Sequence, residues 1–180
     1  MKESTKLPVV LSISFLLIFL QTAGAFYSKS LALFAYAGLI ITRVFSLLPK
    51  FVNLNDTDKG FSKAQIVSVI LNASVIFILA LIIISKAFTE MTSTKTINMP
   101  LAGIITFIVF VGLVVCSFIE KQFILTALLS FVIITGFSIP IFKSIFLLDY
   151  YLSIFFAVLI IIQAIILIKF SACALKKNFT

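Results

Sequence analysis

Arg43 is the only charged side chain that this sequence places well inside an apolar stretch. The other polar groups there are hydroxyls and amides. Thr126 and Ser130 are four residues apart, so they share one helix face, a spacing that suits the lining of a pathway. Leu39 and Arg43 have the same spacing. Asn72 and Gln163 add amides, and Cys116 and Cys173 add thiols without metal spacing or a disulfide framework. The chain has no His, which removes serine-type triads, imidazole bases and His-ligated zinc. No glycine-rich phosphate loop occurs and the acidic residues do not pair. The chain therefore reads as a non-enzyme without a cofactor.

Each group also has a structural reading. Arg43 lies five residues before Leu48, roughly 8 Å from the end of its apolar stretch, within snorkelling reach of a long side chain. Hydroxyls in membrane helices bond back to their own backbone or to a neighbouring helix. Asn72 and Gln163 fit interhelical hydrogen bonds. The cysteines read as inert apolar thiols. Gly38, Gly112 and Gly136 suit close packing or a kink, and Pro140 suits a kink.

The elements that hold these residues follow from six apolar blocks: 9–25, 31–48, 64–84, 101–119, 122–142 and 150–168. No Asp, Glu or His lies inside any of them. Each approaches the roughly 20 residues that a helix needs to cross a hydrocarbon core. Hydrophobic residues make up 62% and charged residues 11% of the 180, against about half and about a quarter in soluble domains. The blocks are rich in strand-favouring Ile, Val and Phe. They are nonetheless too long and unalternating for barrel strands, and an open strand leaves its amides unpaired in lipid. The expected fold is an all-α, six-helix transmembrane bundle in a single domain spanning residues 1–180.

The net charge of +8 sits at block ends, which points to headgroups and not to nucleic acid. With the N-terminus inside, Lys2, Lys6, Lys50, Lys59, Lys63, Lys121, Lys169, Lys176 and Lys177 are cytoplasmic, and Lys29, Lys86, Lys95 and Lys143 are outside. That asymmetry predicts both termini in the cytoplasm, and in a bacterium the inner membrane. Residues 1–25 also fit a signal peptide cleaved near Ala23-Gly24-Ala25, which leaves five spans. Pro49 to Lys63 reads as a polar cytoplasmic loop. Thr89 to Pro100 reads as an outer one that ends in a helix start at Asn98-Met99-Pro100. The tail ending in Lys176-Lys177-Asn178 is expected against anionic headgroups.

Ser30-Leu31-Ala32-Leu33-Phe34-Ala35-Tyr36-Ala37-Gly38 resembles the second-span opening S-L-A-L-L-A-D-A-G of the cation diffusion facilitator family, the zinc and manganese efflux carriers. Gly60-Phe61-Ser62-Lys63-Ala64-Gln65, with Asn72-Ala73 further on, resembles that family's third-span entry, G-Y-x-R-A-E and then N-A. Gly136 fits a small residue of the fifth span. Asp149 with Ser153 is similar to the sixth-span D-P-x-x-S, with Tyr150 in place of the proline.

The resemblance implies six spans with a metal held by His-x-x-x-Asp on the second and again on the fifth, a tetrahedral set on two facing helices. The matching positions here are Leu39 and Arg43, then Thr126 and Ser130. None keeps a ligand. A dication about 4 Å from Arg43 would be repelled by roughly 8 kcal/mol at an effective dielectric near 20, before screening. The family's metal-binding, dimerising cytoplasmic domain after the sixth span has no expected counterpart.

Three readings follow. The first is a divergent carrier-like protein, a cation transporter by ancestry, that moves a solute without the family's metal chemistry. The second is a non-transporting packing or partner protein in the bilayer, as a homodimer or paired with a related chain. The third is an orthodox divalent cation exporter with ligands drawn from Asp56, Asp58, Glu90, Glu120 or Asp149.

Overall fold

A computed structural model describes residues 3–53, 63–92, 97–138 and 145–177. Six α-helices carry them: α1 Glu3–Ser28, α2 Leu31–Asn53, α3 Lys63–Glu90, α4 Met99–Ile119, α5 Ile124–Ser138 and α6 Ile145–Lys177. A single 3-10 turn, Lys121–Phe123, joins α4 to α5. Helices satisfy their backbone within the segment, which is what a chain of strand-favouring side chains needs in lipid. Four stretches are long and apolar enough to cross a membrane: Lys6–Ser28, Ile66–Glu90, Pro100–Ile119 and Leu147–Lys169. The apolar parts of α2 and α5 are shorter, Leu31–Leu47 and Ile124–Thr135.

Local signals set the helix ends. Lys29 has φ 59° and ends α1 in the left-handed region. Ser30 N–H then returns to Ala25 O at 3.2 Å, so α2 starts after a two-residue reversal. At the start of α4, Asn98 Oδ1 accepts from Leu101 N–H at 3.3 Å and Pro100 follows in the first turn, as the sequence predicts. Asn98 N–H also donates to Ser28 O at 3.0 Å, which ties the head of α4 to the α1–α2 corner.

α2 is the hub. It packs on α1, α3 and α6, while α4 packs on α1 and α5, and α3 lies along α6. Ala32, Leu33, Ala35, Tyr36, Leu39, Ile40 and Leu47 of α2 have no exposed surface. On α3 the buried positions Ile66, Ala73, Ile76, Ala80, Ile83 and Ala87 form one seam with Ala at every seventh place. α6 buries Ala157 and Ala164, and such small residues let membrane helices approach closely. The α1–α4 contact is tight at two glycines. A Cβ on Gly24 would lie 2.6 Å from Ile105 Cγ2, and one on Gly112 would lie 2.5 Å from Leu17 Cδ2. α1 runs unbroken through Ala23-Gly24-Ala25.

Large apolar side chains cover the outside. Phe26 is 84% and Phe118 86% exposed, an arrangement that suits hydrocarbon and not water.

The sixth helix begins before the apolar block at Tyr150 and continues past Ile168. This corrects the expectation that no acid lies inside a span, because Asp149 falls within α6 and is 1% exposed. Residues 54–62, 93–96 and 139–144 lie outside the described ones. That covers most of the loop between Pro49 and Lys63, the motif residues Gly60-Phe61-Ser62, and Pro140. The surroundings of Gly136 and Cys173 and the end of the tail are likewise outside the description.

Candidate functional site

Three polar junctions are spaced along α2. The first is at its N-terminus. Ser30, immediately before the helix, accepts from Leu33 N–H at 3.2 Å and donates its hydroxyl to Asp149 Oδ1 at 2.5 Å. Asp149 Oδ2 accepts from Leu31 N–H at 2.8 Å, and Oδ1 also accepts from Ala32 N–H at 3.2 Å. A carboxylate from α6 thus takes up free amides of the first turn of α2. Negative charge is favoured there by the helix dipole, and charge-assisted hydrogen bonds are the strong ones.

The second junction joins α2 to α5. Tyr36 is fully buried, and its phenol donates to Thr126 O at 2.6 Å. The Ser130 side chain lies near that phenol, while Ser130 Oγ donates to Ala127 O at 2.7 Å. The Tyr36 ring lies 5.5 Å from that of Phe156 on α6. Thr126 Oγ1 is enclosed without a hydrogen-bond partner among the described residues. Leu39, one turn further along α2, is completely buried.

The third junction joins α2 to α6 again. Thr42 Oγ1 lies 2.7 Å from Leu39 O and 2.5 Å from Gln163 Oε1, with one hydroxyl hydrogen to serve either acceptor. The interhelical reading of Gln163 therefore has its partner, Thr42. Arg43 beside it is half-buried, with Nε enclosed and lacking a hydrogen-bond partner among the described residues. α2 continues ten residues beyond Arg43, to Asn53, so the helix does not end where the apolar block does.

Asn72 is half-buried on α3, and its side chain makes no hydrogen bond among the described residues. Cys116 is buried and free, beside Ser14 of α1. Gln21, also on α1 and fully buried, reaches Leu33 O only at 3.5 Å, and its Oε1 has no partner among the described residues.

The four positions that the carrier resemblance marks thus hold a buried leucine, a half-buried arginine and two buried hydroxyls. Among the described residues no three His, Cys, Asp or Glu side chains gather as a metal site. The residues that sequence reasoning missed are Ser30 and Asp149 as a pair, Tyr36, Thr42 and Gln21. A signal existed for the first two: a Ser directly before an apolar block is a helix cap, and Asp149 stands one residue outside the sixth block.

Helices of this length with a lipid-facing surface define a multi-pass α-helical membrane protein. No protein-family model and no curated protein matches the chain.

Proposed function

We propose that this protein is a divergent relative of the cation diffusion facilitators that keeps the carrier scaffold without its metal chemistry. In this reading it serves in the bilayer as a non-transporting helical module. The carrying observation is the α2–α5 junction, where Tyr36 meets Thr126 and Ser130. A meeting of the second and fifth helices is what the resemblance implies, and here Tyr36 of α2 donates its phenol to Thr126 O of α5. Tyr36 stands at the aspartate of the S-L-A-L-L-A-D-A-G pattern.

The Ser30–Asp149 contact supports the same scaffold. It joins the first residue of the second-span pattern to the first of the sixth-span pattern. Asp149 is thereby engaged at a helix terminus and supplies no free ligand for the exporter reading. Cytoplasmic termini, from the lysine asymmetry, belong to the same proposal.

Arg43 favours a second reading. A half-buried guanidinium whose enclosed Nε has no partner among the described residues attracts anions and repels dications, so any residual solute would be anionic or neutral. Proteoliposomes test both readings with zinc, manganese and a small anion such as chloride. No protein-dependent flux is expected for the two metals. Saturable zinc or manganese flux would overturn the proposal, and anion flux that disappears in Arg43→Leu would select the second reading.

A further inference from the structure

α1 and α4 run antiparallel, with Ile105 against Gly24 and Leu17 against Gly112, so the start of α1 lies beside the end of α4. A shallow cleft opens there. It is lined by Lys6, Leu7 and Val10 of α1, Leu47 of α2, and Ile119 and Glu120 at the end of α4. Val10 and Leu47 are buried. Lys6, Leu7, Ile119 and Glu120 are half-buried.

The cleft sits at headgroup level. Lys6 is the first residue of the apolar stretch Lys6–Ser28, and Glu120 follows directly on Pro100–Ile119. Both charges therefore stand where hydrocarbon gives way to polar groups. The backbone fixes Glu120 in place. Its N–H donates to Cys116 O at 2.8 Å, and its carbonyl accepts from Phe123 N–H at 3.1 Å. Apolar walls on both sides lower the local dielectric and strengthen charged contacts made there.

We infer that this cleft binds the headgroup of a zwitterionic phospholipid with a primary ammonium, of which phosphatidylethanolamine is the simplest. Two opposite charges on one cleft match two opposite charges on one headgroup. Lys6 offers only donors, which suits the phosphate, and the Glu120 carboxylate offers only acceptors, which suits an ammonium that still carries N–H groups. Glu120 has a contact within the chain, and the several acceptor sites of a carboxylate leave room for another. A choline headgroup has the phosphate but no N–H to donate. An anionic glycerol headgroup brings the carboxylate no cation. Leu7, Val10 and Ile119 face the apolar part of the lipid next to its headgroup. The inference does not depend on the carrier resemblance, nor on which side of the membrane the termini lie.

The test is native mass spectrometry of the detergent-solubilised protein. It is titrated separately with phosphatidylethanolamine, phosphatidylcholine and phosphatidylglycerol of identical chains. The wild type should bind the ethanolamine lipid about 3- to 10-fold more tightly than the choline lipid, as one added hydrogen bond predicts. Glu120→Gln should remove most of that preference, and Glu120→Lys should turn it toward phosphatidylglycerol. Lys6→Gln should weaken all three lipids alike, because the phosphate is common to them. Lys29→Gln, at the opposite end of α1, should change nothing. Glu120→Asp keeps the carboxylate and should keep the order of the three lipids, which separates lost recognition from lost folding. Equal binding of the three lipids by the wild type would overturn the inference. So would an ethanolamine preference that survives Glu120→Gln in full.

Discussion

At the first turn of α2, a carboxylate that is 1% exposed accepts from a hydroxyl and two backbone amides. Further along the same bundle, Thr126 Oγ1 and Arg43 Nε are enclosed with no partner among the described residues. Both regions are polar spots in an apolar bundle, and they differ in how completely the polar atoms are satisfied. A fully bonded junction fixes two helices relative to each other, whereas a partly bonded one adds desolvation cost without fixing anything. The α2 terminus thus reads as architecture. The sites of Thr126 and Arg43 read as packing that leaves polar atoms unsatisfied among the described residues.

The largest effect is expected at the satisfied junction. Asp149→Ala strands two amides and a hydroxyl in a buried setting and should cost about 3 kcal/mol or more, since each buried unsatisfied group costs about 1–3 kcal/mol. Thermal unfolding in detergent measures it. Asp149→Asn keeps an acceptor and should recover roughly half of that loss. If Asp149→Ala melts with the wild type, the junction is not structural.

Next come the tight glycine contacts between α1 and α4. Gly112→Val places a branched side chain against Leu17 and should cost about 1–3 kcal/mol through overpacking. Gly103→Ala is the control, because a Cβ there meets nothing within 4 Å. It should be neutral or slightly stabilising.

Smaller effects sharpen the contrast at the second junction. Tyr36→Phe removes one hydrogen bond between α2 and α5 and should cost about 0.5–1.5 kcal/mol. Thr126→Val replaces an unpartnered hydroxyl with a methyl and should leave the melting temperature unchanged or raise it. A loss equal to that of Tyr36→Phe would show that Thr126 Oγ1 has a partner and would remove the asymmetry between the two regions.

Much of the architecture was legible from block lengths and composition. Where a chain must satisfy its backbone without water, an apolar run of about 20 residues leaves little choice but helix. The start of α4 was legible because Asn98 and Pro100 act through local geometry. The Ser30–Asp149 junction was hidden because the two residues are 119 positions apart, and hydropathy excludes an acid from a span even when a helix terminus stabilises it. Tyr36 was hidden for the opposite reason, since a buried tyrosine in an apolar run looks like any other aromatic until its phenol is seen to reach a backbone carbonyl on α5. Asn72 shows a third limit. Its residue type suggests a hydrogen bond between helices, but among the described residues its side chain makes none.

The most direct measurement is zinc and manganese binding to detergent-solubilised protein by calorimetry. The wild type is compared with a variant that carries Leu39→His, Arg43→Asp, Thr126→His and Ser130→Asp. The wild type should show no saturable binding. The variant should bind, because those four positions then supply two imidazoles and two carboxylates, the set that the resemblance implies. Micromolar binding by the wild type, or a folded variant that binds no metal, would contradict a carrier scaffold stripped of its metal site.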